Sequence, residues 1–503
     1  MTIVARSAPL LLHRRIAPAA RPAKRASVQP AEPLPAPILK PLRRSLGVVG
    51  ILFLTLSAIT PASSVFIIVP EMLRDAGTGA LWAMLIAGLV CVATAYLYAE
   101  LSSAWPVAGG EYVMVAHTLG PLAGFVILGV NTINNFIFPA VVGLGLSDVL
   151  STLVPGLKPV PVAVAMVIAC TLVSVLRIRF NAWLTGIFLA VELAALLILF
   201  ALGLLDPVRP LGPMLLHPAA PSGPATAAGI GLATTVAIFA LNGYGNAVYL
   251  AEEMHEPARR IARVILMALA LTLLVEIAPL AAVLAGVPVL EMLYAGSDPF
   301  GLFVTVRGSP ALAGWVSIGV AVAIVNAAIA CIISFARFFY STGRDGAWGR
   351  PFDAWATAVH PRFGTPWIAT LAVGAVGTAA CFLPLPLLLV LSGAGIGVTY
   401  LAMAFAALAG RWKGAAAHAP YRMPLFPLAP VVTIAALAYV FWTNWFDVET
   451  GRPGLVATGA QMLVSAAYYI LVVKRRGPWI VRDPVDEDLA PAAVPRGALE
   501  RTT

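Results

Sequence analysis

Two carboxylic acids interrupt long apolar runs of this chain: Glu192 in Leu189-Ala190-Val191-Glu192-Leu193-Ala194, and Glu276 in Leu273-Leu274-Val275-Glu276-Ile277-Ala278. A carboxyl placed in hydrocarbon favours its neutral form, so it can load a proton and release it when its surroundings change. Glu192 is the candidate for that task, with a neutral acid bonded to a neighbouring helix as the competing reading. Glu276 precedes Pro279 and reads as serving a local kink. Two further stretches join small and hydroxylated residues to helix breakers: Leu56-Ser57-Ala58-Ile59-Thr60-Pro61-Ala62-Ser63-Ser64-Val65-Phe66 and Phe239-Ala240-Leu241-Asn242-Gly243-Tyr244-Gly245-Asn246. Proline removes a donor and clashes with the preceding turn, and glycine weakens a helix, so both stretches leave backbone groups without partners. A half-helix starting at such a break aims N–H groups at an anion, while carbonyls left by the other half hold an ammonium. That pair of ends suits a zwitterion.

The elements that must position these groups are membrane helices. The chain of 503 residues is 60% apolar and only 11% charged, with a mean hydropathy of +0.91; soluble domains run near half and a quarter. A span needs about 20 apolar residues. Cutting at polar and Pro/Gly-rich breaks predicts twelve spans, near 47–69, 80–99, 122–146, 160–176, 182–205, 226–250, 264–286, 313–336, 366–383, 385–409, 425–445 and 455–473. With the N-terminus in the cytoplasm, inside segments carry 27 of the 32 Lys and Arg, and outside loops keep Arg74, Lys158, Arg209, Arg307 and Arg452. Short cytoplasmic loops favour Lys and Arg, so this split supports both the count and the orientation, with both termini cytoplasmic. It also accounts for the net charge of +9 without nucleic acid. Residues 1–46, rich in Pro, Ala and Arg, read as a disordered basic tail rather than a transit peptide, since Pro9, Pro18 and Pro22 interrupt any amphipathic helix. Residues 474–503 read as a second solvated tail. Cys91, Cys170, Cys331 and Cys381 lie in apolar runs without paired spacing and read as buried free thiols, so no metal or other cofactor is expected.

The two broken stretches fall in the first and sixth spans, each at the start of a five-helix block. One kink is ordinary in a membrane helix; two at corresponding positions mark the midplane site of a transporter. The candidate binding residues are Thr60, Pro61, Ala62, Ser63 and Ser64 in the first and Phe239, Asn242, Gly243, Tyr244 and Gly245 in the sixth. Span 3 presents Asn131, Asn134 and Asn135, and span 8 presents Asn326; of these, Asn135 and Asn326 are candidates for the substrate path, although buried Asn more commonly ties helices together. Charged residues around the inner ends of spans 2, 6 and 8, including Glu100, Glu111, Glu252, Glu253, Arg337, Arg344 and Asp345, are expected in part to pair as an inner gate.

The stretch Glu100-Leu101-Ser102-Ser103-Ala104-Trp105-Pro106-Val107-Ala108-Gly109-Gly110-Glu111-Tyr112 resembles the amino acid-polyamine-organocation (APC) superfamily of permeases. So do Ala251-Glu252-Glu253 with Pro257 and Arg263, and Arg337 through Arg344-Asp345-Gly346 with Phe363-Gly364-Thr365-Pro366. The resemblance covers about residues 45–475. It implies an all-α polytopic fold of the leucine-transporter type: two inverted five-helix repeats, here residues 47–205 and 226–409, plus two C-terminal helices over 425–473. It further implies substrate held at the breaks, Phe239 as an aromatic lid, and secondary active transport of amino acids or related amines. The family's Gly-Ser-Gly of span 1 is matched here by Ala62-Ser63-Ser64, so Pro61 supplies the break. The lysine that carries the coupling proton in span 5 of some members has no counterpart between Thr185 and Glu192.

The H-E-x-x-H, P-loop and G-x-S-x-G patterns are absent, which argues against an intramembrane enzyme or an ATP-driven pump. A receptor on a transporter fold would bring a folded signalling domain that these tails lack. Neither break contains an acid or a base, so neutral amino acids are the favoured substrates, with an amine or polyamine carrier and an exchanger as alternatives. Span 8 offers no adjacent Ser/Thr pair for sodium, only Asn326 and Ser334, so protons are the expected coupling ion. The partners are a small molecule, the proton and the lipid of the cell membrane.

Overall fold

The first helix, α1 (Val48–Ile59), stops at Thr60, whose φ of 53° and ψ of 68° place it in the left-handed region. Pro61 then starts the next turn, where its missing N–H costs nothing. The break is therefore at Thr60, and Pro61 restarts the helix after it. The chain continues through a π-helical stretch, Ser64–Ile68, into α2 (Val69–Ala76). These assignments come from a computed structural model that describes residues 42 and 44–484, apart from 155, 222, 295–297 and 450. Most of the tail read over 1–46, and the C-terminal tail beyond 484, lie outside the described residues.

Seven helices follow: α3 (Ala80–Ala104), the short α4 (Glu111–Leu119), α5 (Pro121–Leu153), α6 (Pro159–Ser174), α7 (Ile178–Leu205), α8 (Ala227–Ala240) and α9 (Pro257–Gly286). After them come α10 (Pro310–Arg344), α11 (Trp367–Ala380), α12 (Leu385–Trp412), α13 (Leu428–Phe446) and α14 (Gly451–Tyr468). Among the described residues, nine stretches are long and apolar enough to cross a membrane, the first running 57 residues from Val48 to Ala104. Pro159–Ser174 and Trp367–Ala380 are shorter apolar helices. The chain is thus a polytopic helical membrane protein, and the strands described are a two-residue hairpin, Ala219–Ala220 with Gly223–Pro224.

The helices carrying the two lone carboxyls are pressed together by small residues. A Cβ at Gly203 of α7 would stand 2.3 Å from the backbone of Ala282 in α9, and one at Gly286 of α9 would stand 2.6 Å from the Gly203 carbonyl. Such close backbone approach is how helices associate where the surrounding solvent is itself apolar. Inside this bundle α1 packs on α7, α9 and α10. The four cysteines are buried free thiols.

Two ends expected to be tails are partly packed. Leu42 and Leu46 are buried, and the Ser45 and Leu46 amides both donate to the Glu253 carbonyl while the His255 amide donates back to Leu46. After the last helical turn, Trp479 and Val481 fold back and bury, Trp479 against Tyr112, Phe125 and Tyr469. Their apolar side chains outweigh the polar residues around them.

Candidate functional site

The second break is built as the sequence leads one to expect, from glycine. Helix α8 ends at Ala240, and Tyr244–Glu253 continue as a ten-residue 3₁₀ helix, far longer than the three or four residues usual for that form. Between them Gly243 has φ of 120°. A Cβ there would lie 2.9 Å from Ile59 Cγ1 and 3.0 Å from Ile59 Cα. Gly243 is thus where the two breaks touch. The Cβ position is taken by Ile59, while the Gly243 backbone still lines the cavity between the breaks.

A cavity of about 620 Å³ opens between the breaks. From the first it is lined by Thr60, Ser63 and Ser64, and from the second by Phe239, Asn242, Gly243 and Gly245. Asn135 also lines it, beside Asn131 and Asn134. The Ser64 hydroxyl donates to the Ala240 carbonyl at 3.0 Å, clamping the end of α8 to the first break. The Thr60 hydroxyl donates to Ser63 Oγ at 2.9 Å. At one end the cavity reaches the exposed Glu71–Arg74 pair and Asp298.

Other candidates stand behind the cavity wall. Pro61, Ala62 and Tyr244 are buried outside its lining. Asn326 is fully buried and donates to Ser57 Oγ at 2.9 Å, tying α10 to α1. Glu192 is fully buried in α7, and its Oε1 accepts the Ala62 N–H at 3.0 Å. One donor freed by the first break is therefore met by the chain's own carboxyl. Glu276 has no hydrogen bond on either oxygen, so it does not serve the Pro279 kink.

The charged residues expected at the inner gate divide into pairs. Glu100 takes Arg411 in two-pronged fashion, at 2.5 and 2.7 Å, and the Met423 N–H at 2.8 Å. Glu253 faces Arg337, whose Nε and Nη2 lie 3.3 and 3.2 Å away. Arg344 donates to Glu252 at 2.6 Å, and Glu252 in turn accepts the Ala108 N–H, joining α10, the second broken span and the loop before α4. Tyr112 donates to Asp345 at 2.8 Å. Burial pushes the Asp345 carboxyl up to about 6, against the pull of Arg344. Glu111 differs from the rest, because it lines the cavity and its donors are neutral: Tyr98 at 2.9 Å and Asn131 at 3.3 Å. Burial raises its carboxyl above the usual carboxylate range.

The sequence reading passed over Tyr98, Thr399 and Tyr400, which line the cavity from unbroken helices, and Tyr249, which lines it from the 3₁₀ half of the second broken span. Thr399 donates to Asn131 at 2.7 Å, and Tyr400 donates to Asn242. A tyrosine inside an apolar run was the available signal, but it is shared with every aromatic that merely packs.

A bundle of membrane helices that interrupts two of them around one cavity defines a small-molecule transporter rather than an enzyme. Residues 46–473 match the amino acid permease family, and the chain belongs to it. A protein named as an uncharacterized transporter in Mycobacterium tuberculosis is 32% identical over 69% of this chain and 75% of its own length. A methylthioribose transporter of Bacillus subtilis is 25% identical over 78% of this chain and 87% of its own. A branched-chain amino acid permease of the same species is 24% identical over the same shares.

Proposed function

We propose that the chain is a secondary transporter that carries a neutral amino acid, with protons, by alternating access across the cell membrane. The observation that carries this reading is the cavity of about 620 Å³ lined by residues of both helix breaks, ample for an amino acid. In this reading twelve spans form two inverted repeats of five plus two further helices, with Pro159–Ser174 and Trp367–Ala380 crossing as shorter spans. Both termini and the arginine-rich end are cytoplasmic, so the Glu71–Arg74 end of the cavity faces outward and the Arg337, Arg344 and Arg411 pairs close the inner gate.

Thr60, Ser63, Ser64, Asn242, Gly243 and Gly245 would hold the zwitterion, Phe239 would cover it, and Glu192 would carry the proton. Support for the last role is that Glu192 already bonds the first break, so a change there on substrate binding reaches its carboxyl directly. A carrier of amines is the second reading, favoured by Glu111, an acid in the cavity wall met only by neutral donors.

Uptake by reconstituted proteoliposomes from a panel of radiolabelled amino acids and their decarboxylated amines tests both. Uptake of neutral amino acids with little uptake of their amines is expected. Equal transport of the two would favour the amine carrier, and no uptake of any would leave a receptor. Glu192→Gln should flatten the pH dependence of uptake and abolish accumulation against a gradient.

A further inference from the structure

Helix α9 carries a carboxyl that the function above does not use. Glu276 is fully buried and neither oxygen has a hydrogen-bond partner. A carboxylate left so would cost several kcal/mol, so the group has to be neutral or has to receive a ligand. Three side chains face it: Ser64 of the first break, Glu192 of α7 and Cys91 of α3, with Tyr244 beyond Cys91. Of the other segments packed on α9, Val48–Ile59, Pro61–Ser63 and Ser64–Ile68 contain no ionisable residue, and Tyr244–Glu253 brings Tyr244, Tyr249 and, at the arginine-rich end, Glu252 and Glu253 in their arginine pairs. Among the described residues no lysine or arginine forms an ion pair with it.

Glu192 approaches the same short turn from its other flank. Its Oε2 has no hydrogen-bond partner, and the Thr60 and Asn326 side chains face the carboxyl. Neither glutamate lines the cavity, but Thr60, Ser63 and Ser64 do. Each carboxyl is therefore one hydroxyl away from the cavity: Thr60 stands before Glu192, and Ser64 before Glu276. A hydroxyl donates and accepts at once and rotates freely between partners. When Ser64 turns its hydroxyl from the Ala240 carbonyl to Glu276, its Oγ takes a proton from a cavity hydronium as it gives up its own: the hydronium O–H and the Ser64 O–H break, a new Ser64 O–H and a Glu276 O–H form, and a water and a neutral carboxyl are left.

We infer that Glu276 is a second proton site, paired with Glu192 across the hydroxylated turn of the first break, so that two protons accompany each substrate. The inference rests on the proton coupling at Glu192 proposed above. Two carboxyls in one low-dielectric region resist ionising together, so loss of a proton from one holds the proton on the other. Their shared turn is the part of the molecule that meets substrate, which links both titrations to occupancy of the cavity.

Two measurements test it. Infrared difference spectra of the purified protein across a pH titration read buried carboxylic acids without any substrate. Glu276→Gln should remove one protonated-carboxyl band, the Glu276 band, and Glu192→Gln, which takes away the charge that Glu192 gains first, should move the midpoint of that band to lower pH. Bands unchanged by Glu276→Gln, or a Glu276 midpoint that stays put in Glu192→Gln, would overturn the pairing. In proteoliposomes with radiolabelled leucine as probe, a pH gradient of one unit and the voltage clamped at zero, each coupled proton multiplies accumulation about tenfold. The wild type should then reach about a hundredfold, Glu276→Gln about tenfold, and Glu192→Gln no accumulation.

A wild-type ratio near ten overturns the second site and leaves coupling at Glu192 standing, and it decides the matter even if Glu276→Gln fails to fold. Accumulation untouched by Glu192→Gln removes the underlying reading instead. Absence of leucine uptake counts against the neutral-substrate reading alone, because the infrared measurement still decides the pairing.

Discussion

The arginine-rich end and the middle of the bundle treat buried acids in opposite ways. At the end, Glu100, Glu252 and Glu253 each face an arginine, and Arg337 is itself fully buried. In the middle, Glu192 and Glu276 are as deeply buried but meet no cation. A buried pair is held as two charges and breaks only at high cost, so it fixes a conformation. A lone carboxyl can change charge by one proton, so it senses a conformation. In the proposed function the same residue type serves as a latch at one level and as a sensor at the other.

The comparison breaks most visibly at Arg337. Arg337→Met leaves Glu253 buried without its cation, and a loss of about 3–5 kcal/mol is expected, read as a lower thermal midpoint in detergent. Adding Glu253→Leu should recover much of it; a single variant as stable as the wild type would show that this pair is no latch.

A smaller effect is expected at Arg344, which joins α10 to Glu252. Arg344→Met should raise labelling of Cys331, which lines the cavity, several-fold by a membrane-impermeant maleimide applied at the arginine-rich end, in a background lacking the other three cysteines. Unchanged labelling would mean that Arg344 does not hold this end closed.

Asp345 sharpens the contrast from within the latch. Burial raises its carboxyl from the ordinary 3.8 to about 6 in the folded protein, so folding favours the protonated form. The stability this gives is present below pH 3.8 and is lost as pH rises through about 6. The thermal midpoint of the wild type should therefore fall across that window by more than that of Asp345→Asn. Parallel curves would assign the titration elsewhere.

The least change in stability is expected from Glu192→Gln, within about 1 kcal/mol, because the amide oxygen can still accept the Ala62 N–H. A collapse comparable to Arg337→Met would make Glu192 a structural tie and sink its role as a sensor.

Much of this was legible in the chain. Apolar length and the Lys/Arg bias gave away the helical membrane class, and Pro61 with Gly243 and Gly245 marked both breaks, because these residues change the backbone whatever surrounds them. The latch was legible only as a list of charges. Which acid meets which arginine depends on helices more than eighty residues apart, as Glu253 and Arg337 are. Glu111 was grouped with the gate because it lies in a charged loop, yet α4 carries it to the cavity wall. Asn326 was placed on the substrate path and instead ties α10 to α1, since an amide in an apolar run reads the same in either use. The buried ends at Leu46 and Trp479 were hidden because single apolar residues in a polar stretch carry no period.

The backbone bonds of Ser45, Leu46 and His255 have a mechanical consequence. They lace the start of the first broken helix to the end of the second in the manner of a short strand pairing, at three points. Together with Ser64 on the Ala240 carbonyl, the two broken helices are pinned at two heights and therefore form a single lever rather than two independent arms. A spin label at residue 46 and another at 254 should keep one narrow distance distribution with and without substrate, while labels across the cavity change theirs.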